Sequence, residues 1–302
     1  MRIGTLALTA LLAATTLAAP ALARQLDPAN PADALEIMKR TQCGVKDNVP
    51  AVYRWQGKIY SRRQGEPDKH LFNMEGMNIR QCVTVTDPQR GTGYRMVSRE
   101  ITLYLDPKTN EVLRSWQNPY TGKTVEVMHI ANDPVNSRPS FPIGADGKPY
   151  SITLTRMGDM MLMPLEAPLY YVNPLAGDYQ DYVGNKYHAM EIFDFSMPVK
   201  ALDTATPSVN PTVAWVRISD WMPWMMMEGR DGQMVFNAMG VKLNSFDELP
   251  EVMKREIATN YPAYTAPPPV DDTRPNETTW TVFKKKIEAQ RGKDGAKPAR
   301  GE

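Results

Sequence analysis

The stretch ITLYLDPKTNEVLRSWQNPYTGKTVEVMHI, residues 101–130, decides the fold class, because it contains the same turn twice. Asp106-Pro107 and Asn118-Pro119 each open a tight turn. A Thr follows, and Asn110 or Gly122 then stands where the backbone must become left-handed. The runs between and around these turns are rich in β-branched and aromatic residues. This predicts an antiparallel meander over about 94–105, 112–117 and 124–130.

The equal turns also set a register. With Asp106 opposite Glu111 and Asn118 opposite Lys123, Leu105 faces Val112, Leu103 faces Arg114, Ile101 faces Trp116, and Trp116 faces Val125. One face then carries Ile101, Leu103, Leu105, Val112, Trp116, Val125 and Val127, and the other Glu100, Thr102, Tyr104, Ser115, Gln117, Thr124 and Glu126. Alternation makes the apolar set the buried one. Arg99, Arg114 and His129 fall on that same face. A buried cation needs a partner. In the functional reading, Arg99 and Arg114 hold an anionic ligand in a recessed pocket while His129 moves a proton. In the structural reading they pair with Glu100, Glu126 or Asp133 at the mouth of a barrel.

Outward from this meander the β signal begins near Ala51, and Ser151–Arg156, Tyr187–Phe195 and Thr212–Ser219 read as further strands. Residues from Asn132 to about Asn173 are otherwise loop-rich and broken by prolines. Short helices are expected from Pro31 to Arg40 and from Ser245 to about Asn260, with a last one capped by Asn276 or Thr278. The expected fold is mainly β: an antiparallel barrel or strongly curved sheet, lipocalin-like, with a few peripheral helices. No βαβ alternation and no Gly-rich phosphate loop occur, so no cofactor is expected.

The first residues, MRIGTLALTALLAATTLAAPALA, place Arg2 before an apolar run and end on the small-x-small site Ala21-Leu22-Ala23. This is the pattern of a cleaved Sec-type signal peptide over residues 1–23, and it points to a periplasmic or secreted protein. A single β-rich domain over 24–283 and a basic flexible tail over 284–302 follow. Lys and Arg number 35 against 34 Asp and Glu, for a net charge of +1, which argues against a general nucleic-acid binder. No later segment approaches membrane-spanning length, so no stable membrane insertion is expected. Cys43 and Cys82 can pair in an oxidising compartment or remain two buried thiols.

Three histidines, His70, His129 and His188, show no metal-ligand spacing, and no nucleophile elbow appears. The 19 methionines cluster at Met157–Met163 and Met222–Met227, the second group beside Trp221 and Trp224. Thioethers can take copper(I), but without histidine partners they read better as adaptable apolar packing, and no metal site is assigned. Trp116, Trp221, Trp224, Met226 and Tyr104 are therefore expected to line a pocket for a hydrophobic small molecule, with His129, Arg114 and Arg99 as its polar groups. The expected function is binding of a hydrophobic or anionic ligand. A cofactor-independent isomerase, lyase or hydrolase using the same pocket is the alternative.

The segments YLDPKTNEVLRSWQNPYTGKTVEVMHIANDPVN, WMPWMMMEGRDGQMVFNAMGVKL and PNETTWTVF resemble the bacterial family known as domain of unknown function 1838. The resemblance spans about residues 33–283. It implies one domain rather than two and brings no catalytic residues to transfer.

Overall fold

A computed structural model describes residues 24–176, 186–206, 208–227 and 229–295. The expected signal peptide lies outside the described residues, as do residues 296–302 of the expected tail. Among the described residues the protein is mainly β. Nine strands form one antiparallel sheet: β1 (Ala51–Arg62), β2 (Lys69–Asp87), β3 (Gly91–Leu105), β6 (Ile130–Asn132), β7 (Thr155–Met157), β8 (Met160–Val172), β9 (Lys186–Pro198), β10 (Thr212–Ser219) and β11 (Gln233–Leu243). Their spatial order is β6-β3-β2-β1-β11-β10-β9-β8-β7. β4 (Ser115–Gln117) and β5 (Thr124–Glu126) form a separate two-stranded sheet. Three α-helices complete the described residues: α1 (Pro31–Gln42), α2 (Glu251–Asn260) and α3 (Thr279–Gly295). α3 therefore carries helix well into the stretch expected to be a flexible tail, and its Ile287 is buried.

The expected barrel does not close. β6 and β7 are the sheet edges, and among the described residues no pairing joins them. Both are three residues long, and short edge strands offer little backbone for unwanted pairing. No helix among the described residues is long and apolar enough to cross a membrane.

The two turns form as their residues dictate. Asp106 N–H donates to Glu111 O at 2.8 Å and Asn118 N–H to Lys123 O at 2.8 Å, with Asn110 and Gly122 at φ 60° and 72°. Leu105 bridges Val112, and Trp116 pairs with Val125. The meander does not continue, however: Ile101 pairs with Ala131 of β6 rather than with Trp116. Trp116 turns instead into an aromatic cluster, 5.2 Å from Phe72 and 6.1 Å from Trp224 between ring centroids. There the half-buried indole gains edge-to-face ring contacts.

β8 falls in the stretch expected to be loop-rich, and it contains Pro164 and Pro168. It forms because β7 pairs only with its first residues, Met160–Leu162. Beyond them β8 is an edge strand, where a missing N–H costs no ladder bond.

Both faces of the central strands are covered. On the outer face Ile101, Leu103, Leu105, Met77, Ile79 and Val52 pack against Leu249, Met253 and Ile257 of the α2 region. On the inner face α1 plugs one end of the sheet, where Leu35 and Met38 cluster with Tyr94 of β3 and with Met161 and Met163 of β8. At the other end an aromatic core gathers Phe72, Tyr104, Trp221, Trp224 and Phe236. A disulfide joins Cys43, just past α1, to Cys82 on β2. Asn30 caps α1, accepting from Ala32 N–H and Asp33 N–H, and the last-turn carbonyl of Arg40 accepts from Lys242 Nζ at 2.8 Å.

Closing a chain segment of sequence separation 39 should remove denatured-state entropy worth about 2–4 kcal/mol. Urea unfolding of the Cys43→Ala, Cys82→Ala double variant is expected to show a loss of that size. An unchanged midpoint would mean that α1 docks independently of the bond.

Candidate functional site

Between the α1 plug and the aromatic core, the inner face encloses a cavity of about 370 Å³. Its walls come from β1, β2, β3, β6, β8, β9 and β10, with residues 276–280 at the start of α3 as a roof. The register explains why these residues share a face. Trp55 of β1 lies opposite Gly76 of β2 and Gly240 of β11. A Cβ on Gly76 would sit 2.1 Å from Trp55 Nε1, so glycine is what lets the indole lie across the sheet.

The walls are aromatic. Trp55 meets Trp215 edge-on at 6.0 Å, and Trp215, Phe193 and Phe195 stack in succession at 6.3 Å each. Tyr53 closes this wall against Phe195, while Tyr171, Tyr187 and Trp280 form a second aromatic group of the lining. The roof is tied down by Glu277 N–H donating to Pro134 O at 2.9 Å, and by Asn276, which donates to Asn136 O and accepts from Asn136 N–H.

Five charged residues line the same space: Arg80, Glu100, Glu191, Arg217 and Glu277. Arg217 Nη1 lies 3.4 Å from Glu191 Oε1, and its Nη2 donates to the Tyr187 hydroxyl. Burial opposes the Arg217 charge, but Tyr187 and Glu191 hold its pKa above the usual arginine value. Glu100 accepts from Asn132 Nδ2 at 2.7 Å. Burial nevertheless pushes its carboxyl above the usual carboxylate range. These groups are deep in the molecule yet retain some accessible surface, as groups facing a cavity must.

The residues expected to act are elsewhere. Arg99 points to the outer face, 2.9 Å from Asp133 Oδ2, and donates to the carbonyls of Ala263 and Ala266. Arg114 is exposed and pairs with Glu256 of α2. His129 is buried beside Tyr104, whose backbone N–H donates to His129 Nδ1 at 3.1 Å. None of the three lines the cavity. Trp116, Trp221, Trp224, Tyr104 and Met226 belong to the aromatic core rather than to the cavity wall. Met226 sits there at φ 55°. The methionine groups divide likewise: Met161 and Met163 pack against the α1 plug, and Met222, Met225 and Met227 pack in the aromatic core.

The reason is two-sided burial. With α2 covering the apolar face of β3, the face bearing Glu100 and Thr102 turns inward rather than to solvent. The sequence signal for this cavity is a charge alternating with aromatics along one strand face: Trp215 then Arg217, and Glu191 then Phe193 and Phe195. Such a charge cannot be solvated on a face that its neighbours bury.

The family model described as "Protein of unknown function (DUF1838)" matches residues 48–287, and the chain belongs to that family. Comparison with curated proteins gives no match.

His129 still has a measurable role. Burial, with the Arg114 cation nearby, pushes its imidazole down to about 4 from the ordinary 6.5. Its neutral form therefore stabilises the fold fully above the unfolded value. That stability is lost as pH falls through 6.5 toward 4, because the unfolded chain takes up the proton first. Between about pH 7.5 and pH 5 the loss should be about 2 kcal/mol. In His129→Asn, where the side-chain oxygen can replace Nδ1 as acceptor, urea unfolding should show that slope removed. An undiminished slope would assign the acid sensitivity to other groups.

Proposed function

We propose that this member of the family is an exported binding protein for a small, flat organic molecule. The ligand occupies the aromatic cavity between the sheet and the start of α3. The observation that carries this reading is the cavity wall itself. Trp55, Phe193, Phe195 and Trp215, together with Tyr171, Tyr187 and Trp280, surround about 370 Å³, and charged groups converge on the same space. That volume is in the range of small-molecule sites, and apolar walls with a few placed polar groups are their usual make-up. Aromatic faces grip planar molecules by stacking, while the Arg217–Glu191–Tyr187 set gives orientation through hydrogen bonds.

The reading includes a strongly curved sheet. Supporting it, residues of β3 and β8, which lie six places apart in the strand order, line one cavity and share one cluster with α1. A flat sheet would hold strands that far apart by nearly 30 Å at the usual spacing of about 4.8 Å. Export is supported by the signal-like residues 1–23 and by the Cys43–Cys82 disulfide, which suits an oxidising compartment.

The test is occupancy. Native mass spectrometry of gently purified protein should reveal a retained organic molecule. The neutral dye N-phenyl-1-naphthylamine should bind the emptied protein. Val213→Phe, which fills the cavity from β10, should weaken dye binding by about tenfold while leaving the circular dichroism spectrum intact. Equal dye binding by the folded variant would remove the cavity from consideration.

A further inference from the structure

We propose that Arg80 is the anchor for a carboxylate on the ligand, so that the cavity takes a planar carboxylic acid with an apolar body. This rests on the binding reading above and names the class of molecule that it implies.

Arg80 projects from the inner face of β2 into the cavity. Its guanidinium is fixed at one edge only: Nε donates to Asn78 Oδ1 at 2.6 Å, and the guanidinium carbon lies 4.8 Å from the centre of the Tyr53 ring. Among the described residues no carboxylate stands within ion-pair distance of it, and Nη1 and Nη2 make no hydrogen bond to the protein. The other charged groups in the cavity are engaged. Arg217 is held by Glu191 and Tyr187, Glu100 by Asn132, and Glu277 by Lys285.

A buried guanidinium with two free amino groups is costly to maintain unless something else completes it. Those two amino groups form a planar fork whose parallel N–H bonds match the two oxygens of a carboxylate. Glu100 on the neighbouring strand favours the Arg80 charge without pairing with it. Lys242, on the inner face of β11, donates to a backbone carbonyl rather than to an acid. Burial, together with the Arg80 charge, pushes its ammonium down to about 7. The same cavity is lined by Trp55, Phe193, Phe195 and Trp215, flat rings suited to stack on an aromatic or conjugated body. A phosphate dianion would require more donors than one fork offers among apolar walls, so the single negative charge of a carboxylate is the better match.

The experiment compares probes that share one body. Isothermal titration calorimetry on the full chain, freed of any retained ligand, would use 2-naphthoate, 2-naphthamide, 2-naphthylmethylammonium and 2-naphthyl phosphate. The expected order places 2-naphthoate about tenfold or more tighter than the amide, with the ammonium weakest. Arg80→Gln should erase the preference for 2-naphthoate and leave amide affinity within about twofold. If the amide binds the wild type as tightly as 2-naphthoate, the carboxylate anchor is wrong and the cavity reading stands. Tighter binding of the phosphate than of 2-naphthoate would overturn the choice of carboxylate. If none of the four binds the wild type, the cavity reading falls, and this assignment with it. Should Arg80→Gln fail to fold, the wild-type series alone decides.

Discussion

Every feature of the inner face follows from the fact that its central strands are covered on both sides. α2 and the segment after it bury the apolar side of β1, β2 and β3 through Met253, Ile257 and Tyr264. The reverse side is thereby withdrawn from bulk water as well. Whatever polar groups that side carries must be satisfied internally or by a visitor. Asn78, Arg80, Glu100 and Thr102 are such groups, and they converge on one space. A sheet with one solvated face would have dispersed them harmlessly into water.

Charge within this space is not neutralised by pairing across it. Two arginines and three glutamates line the cavity, yet only Arg217 and Glu191 pair with each other, while Glu277 pairs with Lys285. In a low-dielectric interior the paired ions rigidify their wall, while the unpaired ones keep their reach. Trp55, lodged between Gly76 and Gly240, shows how closely backbone and ring are matched there.

Local structure was readable from the residues, and the site was not. The two Asx-Pro turns and their register could be read because turn chemistry acts over a few residues, and Asn118 opposite Lys123 is set by that chemistry alone. Helix α1 was legible for the same reason, from its apolar spacing and the residues that end it. The choice of face failed, because assigning Ile101 and Leu103 to the core is correct but says nothing about what covers Glu100 and Thr102 behind them. Arg99 and Arg114 shared the apolar face in sequence and escaped it in space, one to Asp133 and the other to Glu256. β8 was hidden in a stretch whose prolines read as loop, and only the assembled sheet shows which strand it pairs with. The cavity wall draws Tyr53, Tyr187 and Trp280 from distant parts of the chain, and no local pattern links them.

The roof over the cavity is held differently from the walls. Its polar ties, among them Asn276 to Asn136, Glu277 to Pro134 and Arg274 to Asp133, join positions about 140 residues apart, and Trp280 anchors it in the aromatic core. Such a segment can open locally at a free-energy cost well below that of global unfolding. On the binding reading proposed above, the residence of a bound molecule depends on how readily this segment opens, more than on the overall stability of the sheet. Residence time and thermal stability become separate quantities, open to independent change by substitutions at Asn136 or Asn276 that leave the β-ladders untouched.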